Sequence, residues 1–177
     1  MNEDLVTIVE YNKEWDNWFR EECLALTKIL DKDLVVKIEH FGSTAIPGSH
    51  AKPVIDILVG LKSFILYENQ INALGELGYK FIEKSDFCQR FYFKKRGERS
   101  FNISFVVFSE DVWEKCINLR DYLRSNPNKR DEYAKIKKDA ISSGHRTVAL
   151  YSKYKYTFVC KLCQEALEWK QTPRAQL

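Results

Sequence analysis

The chain has 177 residues, 45% of them apolar and 14% aromatic, enough to bury one substantial core and short for two. Its 28 basic and 25 acidic residues leave a formal charge of +3, and that balance excludes a disordered tail, a collagen-like repeat and a supercharged polyanion binder. No apolar run approaches the roughly 18–20 residues that span a bilayer, and Met1 opens into Asn2-Glu3-Asp4 rather than a basic and then apolar leader, so the expectation is a cytoplasmic protein without membrane attachment.

The five cysteines (Cys23, Cys88, Cys116, Cys160, Cys163) form an odd, scattered set, unlike a secreted disulfide framework, and read as reduced thiols. Charge is uneven: residues 1–88 hold nine basic and 15 acidic side chains, and the remainder 19 and 10, giving −6 and +9. Such polarity can present a basic face to phosphates or RNA, or it can reflect amphipathic helices with lysine-rich solvent sides.

In chain order, Leu5 to Val9 reads as a short opening strand. Trp15, Trp18, Phe19, Leu26, Ile29 and Leu30 then recur at helical spacing. Leu34 to Phe41 and Pro53 to Val59 read as strands, the second nearly continuous in apolar residues and so expected to be central. Ser63 is the expected cap of a helix whose Tyr67, Ile71 and Leu74 face inward, with Gly78 at its left-handed end. Gln89 to Lys94 and Ser100 to Phe108 form two strands around the charged turn Lys95 to Arg99. From Ser109, the expected next cap, the period becomes helical. Trp113, Cys116, Ile117 and Leu123 mark one buried face, and Tyr133, Ile136 and Ala140 mark a second after Asn126-Pro127. Tyr151, Tyr154, Phe158, Leu162 and Ala166 mark a third. Strands first and helices last predict one α+β domain over residues 1–177, a mixed sheet of about five strands with helices packed on it.

The strongest chemical signal lies between the second and third predicted strands, in Gly42-Ser43-Thr44-Ala45-Ile46-Pro47-Gly48. Glycine and two hydroxyl residues after a strand leave N–H and O–H groups free to surround an anion, and Lys52 can add a point charge; the alternative is an ordinary tight turn. Neither G-x-x-x-x-G-K-[ST] nor G-x-G-x-x-G is present. Asp56 is a carboxylate inside the apolar run Val54 to Val59, costly unless paired, hydrogen-bonded or on a metal. It either ligates a hard cation such as Mg²⁺ beside a substrate phosphate, or it faces solvent or pairs with Lys52. Cys160-x-x-Cys163 has redox spacing, but it sits on a helix without further ligands and reads as packing. His40 reads as a hydrogen-bonded structural residue.

The segments IEHFGSTAIPG, AKPVIDILV, QRFYFKK and LRDYLRSNPNKRDEYAKIKK, with the spacing of Tyr151 and Lys155, resemble the GrpB (UPF0157) family of the nucleotidyltransferase superfamily in order along most of the chain. The resemblance implies a nucleotidyltransferase fold with Gly42, Ser43 and Thr44 in the phosphate loop and Asp56 as a catalytic, Mg²⁺-binding carboxylate. It further implies binding of a nucleoside triphosphate or another phosphorylated small molecule, with nucleotidyl transfer to an acceptor or, alternatively, binding without turnover. Two departures stand out. Leu58 occupies the place of the superfamily's second acid, and Asn102 and Ser104 stand where the family tends to show a His-x-His pair. Glu39 is the nearest remaining acid and the candidate second catalytic carboxylate. Arg90 matches a family arginine and is either a phosphate clamp or half of a cross-strand salt bridge. Asn102 can hydrogen-bond at the site. Arg120, Arg124, Tyr133, Lys137, Tyr151 and Lys155 are read either as a basic wall with Tyr151 and Lys155 at the nucleotide, or as helix-surface pairs and packing.

Overall fold

The computed structural model of the chain describes residues 5–172. Its sheet has the order β1-β2-β5-β4-β3, built from β1 (Val35–Phe41), β2 (Ile55–Leu61), β3 (Lys80–Ser85), β4 (Arg90–Lys95) and β5 (Phe101–Val107). β2 and β5 run parallel and the other neighbours antiparallel. A parallel pair cannot be joined by a tight turn; the crossover here contains α2 (Glu68–Glu76) and the β3–β4 pair. The fold is α+β with a mixed sheet, as expected.

Alternation along the strands separates two faces. Ile55, Ile57, Val59 and Leu61 join Phe101, Ile103, Phe105, Phe91 and Phe93 in the main core, where Trp15, Leu26 and Leu30 pack from the side of α1 (Glu14–Ile29) and Leu74 from α2. The opposite face carries Asp56 and Leu58 of β2 against Asn102 and Ser104 of β5. Leu58 and Val106 on this face are covered by Trp113 of α3 (Asp111–Ser125). Tyr122, Leu123, Tyr133, Leu162 and Ala166 then join α3, α4 (Pro127–Ser142) and α5 (Val148–Gln171) around Ile46. The three helices thus form a second layer over the polar face of the sheet and the loop after β1.

Five strands are expected and five are observed, but they are not the same five. Leu5 to Val9 makes only isolated bridges, Leu5 to Thr147 and Val9 to Ala51. The fifth strand is β3, which is exposed along nearly its whole length and so carries no alternation signal. β2 begins at Ile55 rather than Pro53, and α2 is capped by Tyr67 rather than Ser63. Ser109 takes a left-handed φ of 61° and Glu110 holds the cap position of α3. Among the described residues no helix is long and apolar enough to cross a membrane.

Candidate phosphate-binding site

Asp56 opens the polar row of β2. Its Oδ1 accepts a hydrogen bond from Asn102 Nδ2 at 2.7 Å, the residue beside it on β5, and Asn102 Oδ1 accepts from Arg96 Nη2 at 2.9 Å. Arg96 is held by the carbonyls of Lys95 and Phe101, both at 2.9 Å from Nη1. One amide therefore relays one guanidinium to the carboxylate. Gly42 closes over the other carboxylate oxygen: a Cβ at this position would lie 2.5 Å from Asp56 Oδ2. Its φ of 70° with ψ of −172° is a conformation essentially restricted to glycine. Asp56 keeps a partly exposed edge although protein surrounds it closely. That burial pushes its carboxyl group up from the ordinary range, opposed by the Asn102 hydrogen bond and the charges of Lys52, Lys155 and Arg96.

The loop after Gly42 makes one 3-10 turn, Ser43–Ala45. Ser43 Oγ lies 3.1 Å from Lys137 Nζ, which also donates to Ser49 Oγ at 3.2 Å and to the carbonyl of His50. Lys137 is only 1% exposed. Burial, then the charge of Lys155, pushes its ammonium down to about 7. Lys137 Nζ sits 4.3 Å from the centroid of the Tyr133 ring, while Lys155 Nζ donates to Tyr133 Oη at 3.3 Å and lies 4.8 Å from the Tyr151 ring. Tyr151 itself is buried. Three arginines hold the strand end and the loop from outside: Arg120 Nη1 donates to His40 O at 2.9 Å, Arg124 Nε to Ala45 O at 2.8 Å and Arg130 Nη1 to Pro47 O at 3.2 Å.

The structure thus brings together Gly42, Ser43, Lys52, Asp56, Asn102, Tyr151 and Lys155. Three expected site residues have other partners. Both oxygens of Glu39 are taken, one by Lys37 Nζ and one by Arg120 Nη1, each at 2.7 Å; burial acts to raise its pKa, but these partners hold its carboxyl group below the ordinary value. Thr44 Oγ1 lies 3.0 Å from His40 Nε2 and 3.4 Å from Val54 O, fastening the loop to the core rather than offering its hydroxyl to a ligand. His40, stacked on Phe19 with ring centroids 4.9 Å apart and pushed down to about 4 by burial against the opposing charge of Asp16, 3.5 Å from its Nδ1, is a hydrogen-bonded structural residue, as expected. Arg90 pairs with Glu83 across β3 and β4. It stands four residues from Lys94, the neighbour of Asn102, or about 13 Å along the strand, so the cross-strand alternative holds.

Sequence reasoning undervalued Lys137 and missed Arg96. The signal for Lys137 was present: it falls at i+4 from Tyr133 and three before Ala140, a lysine on a buried stripe.

The Mg²⁺ that the resemblance implies needs hard oxygen donors with free lone pairs. Here Leu58, fully buried, fills the second acid position. Asn102 turns its amino group to Asp56 and its oxygen to Arg96. Among the described residues no group of three or more His, Cys, Asp or Glu gathers to hold a metal. The residues present do not fit the ion.

A family model described as GrpB protein matches residues 5–165. The glutamate-rich protein GrpB of Alkalihalophilus pseudofirmus is 32% identical over 171 residues, covering 93% of this chain and 98% of the relative. UPF0157 protein YqkA of Bacillus subtilis is 29% identical over 94% of this chain, which spans 48% of that longer protein. The crystal structure of the conserved protein GrpB from Enterococcus faecalis superposes with a TM-score of 0.80 at 28% identity, covering 94% of this chain and all of that one. Terminal uridylyl transferase 4 from Trypanosoma brucei with bound dUTP superposes with a TM-score of 0.56 at 12% identity, over 94% of this chain and 57% of that one. The last likeness shows a nucleotidyltransferase-like fold.

Proposed function

The chain belongs to the GrpB family, and from the cluster of cationic side chains around Asp56 and the loop after Gly42 we propose that it binds a nucleoside triphosphate, or another phosphorylated small molecule, by the phosphate groups. The observation that carries this reading is Lys137, an almost fully buried lysine directed at the Ser43 hydroxyl, with Lys155 close enough to depress its pKa. Two neighbouring ammonium groups repel each other in a protein interior, and a phosphate arriving at Lys155 and the Ser43 hydroxyl offsets that cost for both by its charge. Ser43 offers a hydroxyl donor, Lys137, Lys155 and Lys52 supply charge, and the Tyr133 and Tyr151 rings steady the two helix lysines through their faces. Asp56, with Asn102 and Arg96, borders the site.

The fold likeness to a transferase solved with dUTP favours a nucleotide over a simpler anion. It also supports a second reading, in which an acceptor hydroxyl attacks the α-phosphorus in line and pyrophosphate leaves; the single carboxylate ranks this below binding alone. Docking of RNA ranks lower still. Many cations of the basic half are engaged internally, Arg120 with Glu39, Arg99 with Glu21, Lys129 with Glu165 and Lys170 with Glu114. The five cysteines carry free thiols, in keeping with a reducing cytoplasmic compartment.

The test is thermal shift and calorimetric titration with ATP, GTP, CTP, UTP and pyrophosphate. At a hundredfold excess over Kd a ligand adds about 2.7 kcal/mol, a rise of roughly 5–10 °C for a chain of this size. The rise should disappear in Lys137→Met and shrink in Ser43→Ala. No response of the native chain to any of the five probes overturns the reading. Pyrophosphate release from a nucleoside triphosphate would promote the transferase alternative.

A further inference from the structure

We propose that the site around Asp56 takes its phosphorylated ligand without a divalent cation, Arg96 acting through Asn102 on Asp56 where a two-carboxylate site would carry a metal ion. This rests on the binding reading above and adds how the charge of the ligand is met.

The first argument is the orientation of the Asn102 amide. Its nitrogen lies 2.7 Å from Asp56 Oδ1 and its oxygen 2.9 Å from Arg96 Nη2. Flipping it would set two acceptors against each other at Asp56 and two donors against each other at Arg96, so the surroundings permit one orientation. In that orientation Asn102 offers Asp56 a hydrogen and keeps its own lone pairs on the guanidinium. Asp56 Oδ2 lies against Gly42, where even a methyl group would not fit. A cation therefore meets a single carboxylate, one oxygen of which already accepts from Asn102. The next polar-face positions, Leu58 and Ser104, are buried and supply no carboxylate.

The second argument is the charge around Asp56. Lys52, Lys155 and Arg96 all act on Asp56, and Lys155 acts on Lys137. Such an excess of positive charge repels free Mg²⁺ and attracts a polyphosphate. In solution Mg²⁺ chelates the same phosphate oxygens that the lysines would pair with, so here it competes with the protein instead of bridging to it.

Calorimetric titrations with ATP, GTP, CTP, UTP and inorganic tripolyphosphate, each in EDTA and in excess Mg²⁺, read this directly. At least one probe should bind in EDTA and bind more weakly with Mg²⁺. Binding that appears only with Mg²⁺ overturns this inference and leaves phosphate recognition standing, whereas no binding under either condition removes both. Arg96→Met, a change on an exposed turn, should weaken binding in EDTA by about tenfold, as expected for losing one charged partner; unchanged binding rules out the assigned role of Arg96. Titration of Mn²⁺ followed by electron paramagnetic resonance gives a readout free of any phosphate. The native chain should leave Mn²⁺ free, and Asn102→Asp, which sets two carboxylates side by side, should capture it. Stoichiometric capture of Mn²⁺ by the native chain would overturn the proposal.

Discussion

Replacing Lys137 by methionine keeps the length of the side chain and removes the buried ammonium, so the pH dependence of stability isolates one group. Lys137 is pushed down to about 7 in the folded chain, against about 10.4 for an unfolded lysine. Below pH 7 both states hold the proton and the folded chain bears the whole cost of the buried charge. Between pH 7 and about 10.4 the unfolded chain holds a proton that the folded chain has released, so stability rises with pH across this window. From pH 7 to pH 9 the native chain should gain roughly 2 kcal/mol that the variant does not gain, equivalent to about 4–8 °C in Tm.

Urea unfolding of both proteins at pH 7, 8 and 9 measures the difference. Other groups also titrate there: burial pushes the Cys116 thiol up to about 12, which costs stability as pH rises above the ordinary thiol range of about 8.5. That contribution is common to both proteins and cancels. The slope is the test, since methionine leaves Ser43, Ser49 and the His50 carbonyl without their donor and shifts the absolute values. Native and variant profiles parallel within about 0.5 kcal/mol over this range would refute a depressed Lys137. A corollary concerns the ligand. A phosphate beside Lys137 restores its proton, so binding near pH 8 should take up close to one proton in the native chain and far less in the variant, read from titration heats in buffers of different ionisation enthalpy.

Gly42→Ala should cost about 1–3 kcal/mol from the backbone conformation alone and more from the contact with Asp56 Oδ2; a chain that unfolds at the native urea midpoint contradicts this. Asp56→Asn should keep the fold, because the new amide oxygen still accepts from Asn102, and in EDTA should tighten tripolyphosphate binding by removing a negative charge; weaker binding would show that the carboxylate itself serves the ligand. Arg120→Ala should destabilise by roughly 3 kcal/mol, since it leaves Glu39 and the His40 carbonyl without a buried donor. Adding Glu39→Ala should recover part of that loss, and additive losses in the double variant would deny the coupling.

Four of the five strands were legible for two reasons: β2 and β5, buried on both faces, are nearly continuous apolar runs, while β1 and β4 are short runs of β-branched and aromatic residues bounded by turn signals. β3 lies at the sheet edge with both faces exposed, and its residues Lys80–Ser85 carry neither signal. Asp56 was legible for an energetic reason, an acid in an apolar run, and Gly42 for a conformational one. The placing of arginines failed differently. Alternation puts Arg90 on the same face as Asn102, but nothing local says that β4 runs with its far end, Lys94 and the turn beyond it, beside Asp56. Arg96 therefore occupies the site and Arg90 does not. Lys137 meets Ser43 across 94 positions, and only the docking of α4 decides whether a lysine on a helix stripe is solvated or enclosed.

That docking also explains how a buried lysine is tolerated at all. The loop from Gly42 to His50 has few apolar side chains of its own, yet its carbonyls at Ala45 and Pro47 take Arg124 and Arg130, and the strand before it takes Arg120 at His40. Each guanidinium satisfies an acceptor that the sheet leaves open and fastens α3 or α4 to the loop, while Ile46 anchors the same loop among Tyr122, Leu123 and Tyr133. Lys137 then enters a position already bounded by Ser43, Ser49 and the His50 carbonyl, its three hydrogen bonds made before any ligand arrives. A ligand binding there does not need to order the loop, so more of its phosphate interaction remains as affinity. The energetic burden of holding Lys137 out of water falls on the folding of the helical layer, and this is why the pH dependence of folding and the proton uptake on binding should both disappear with the same substitution.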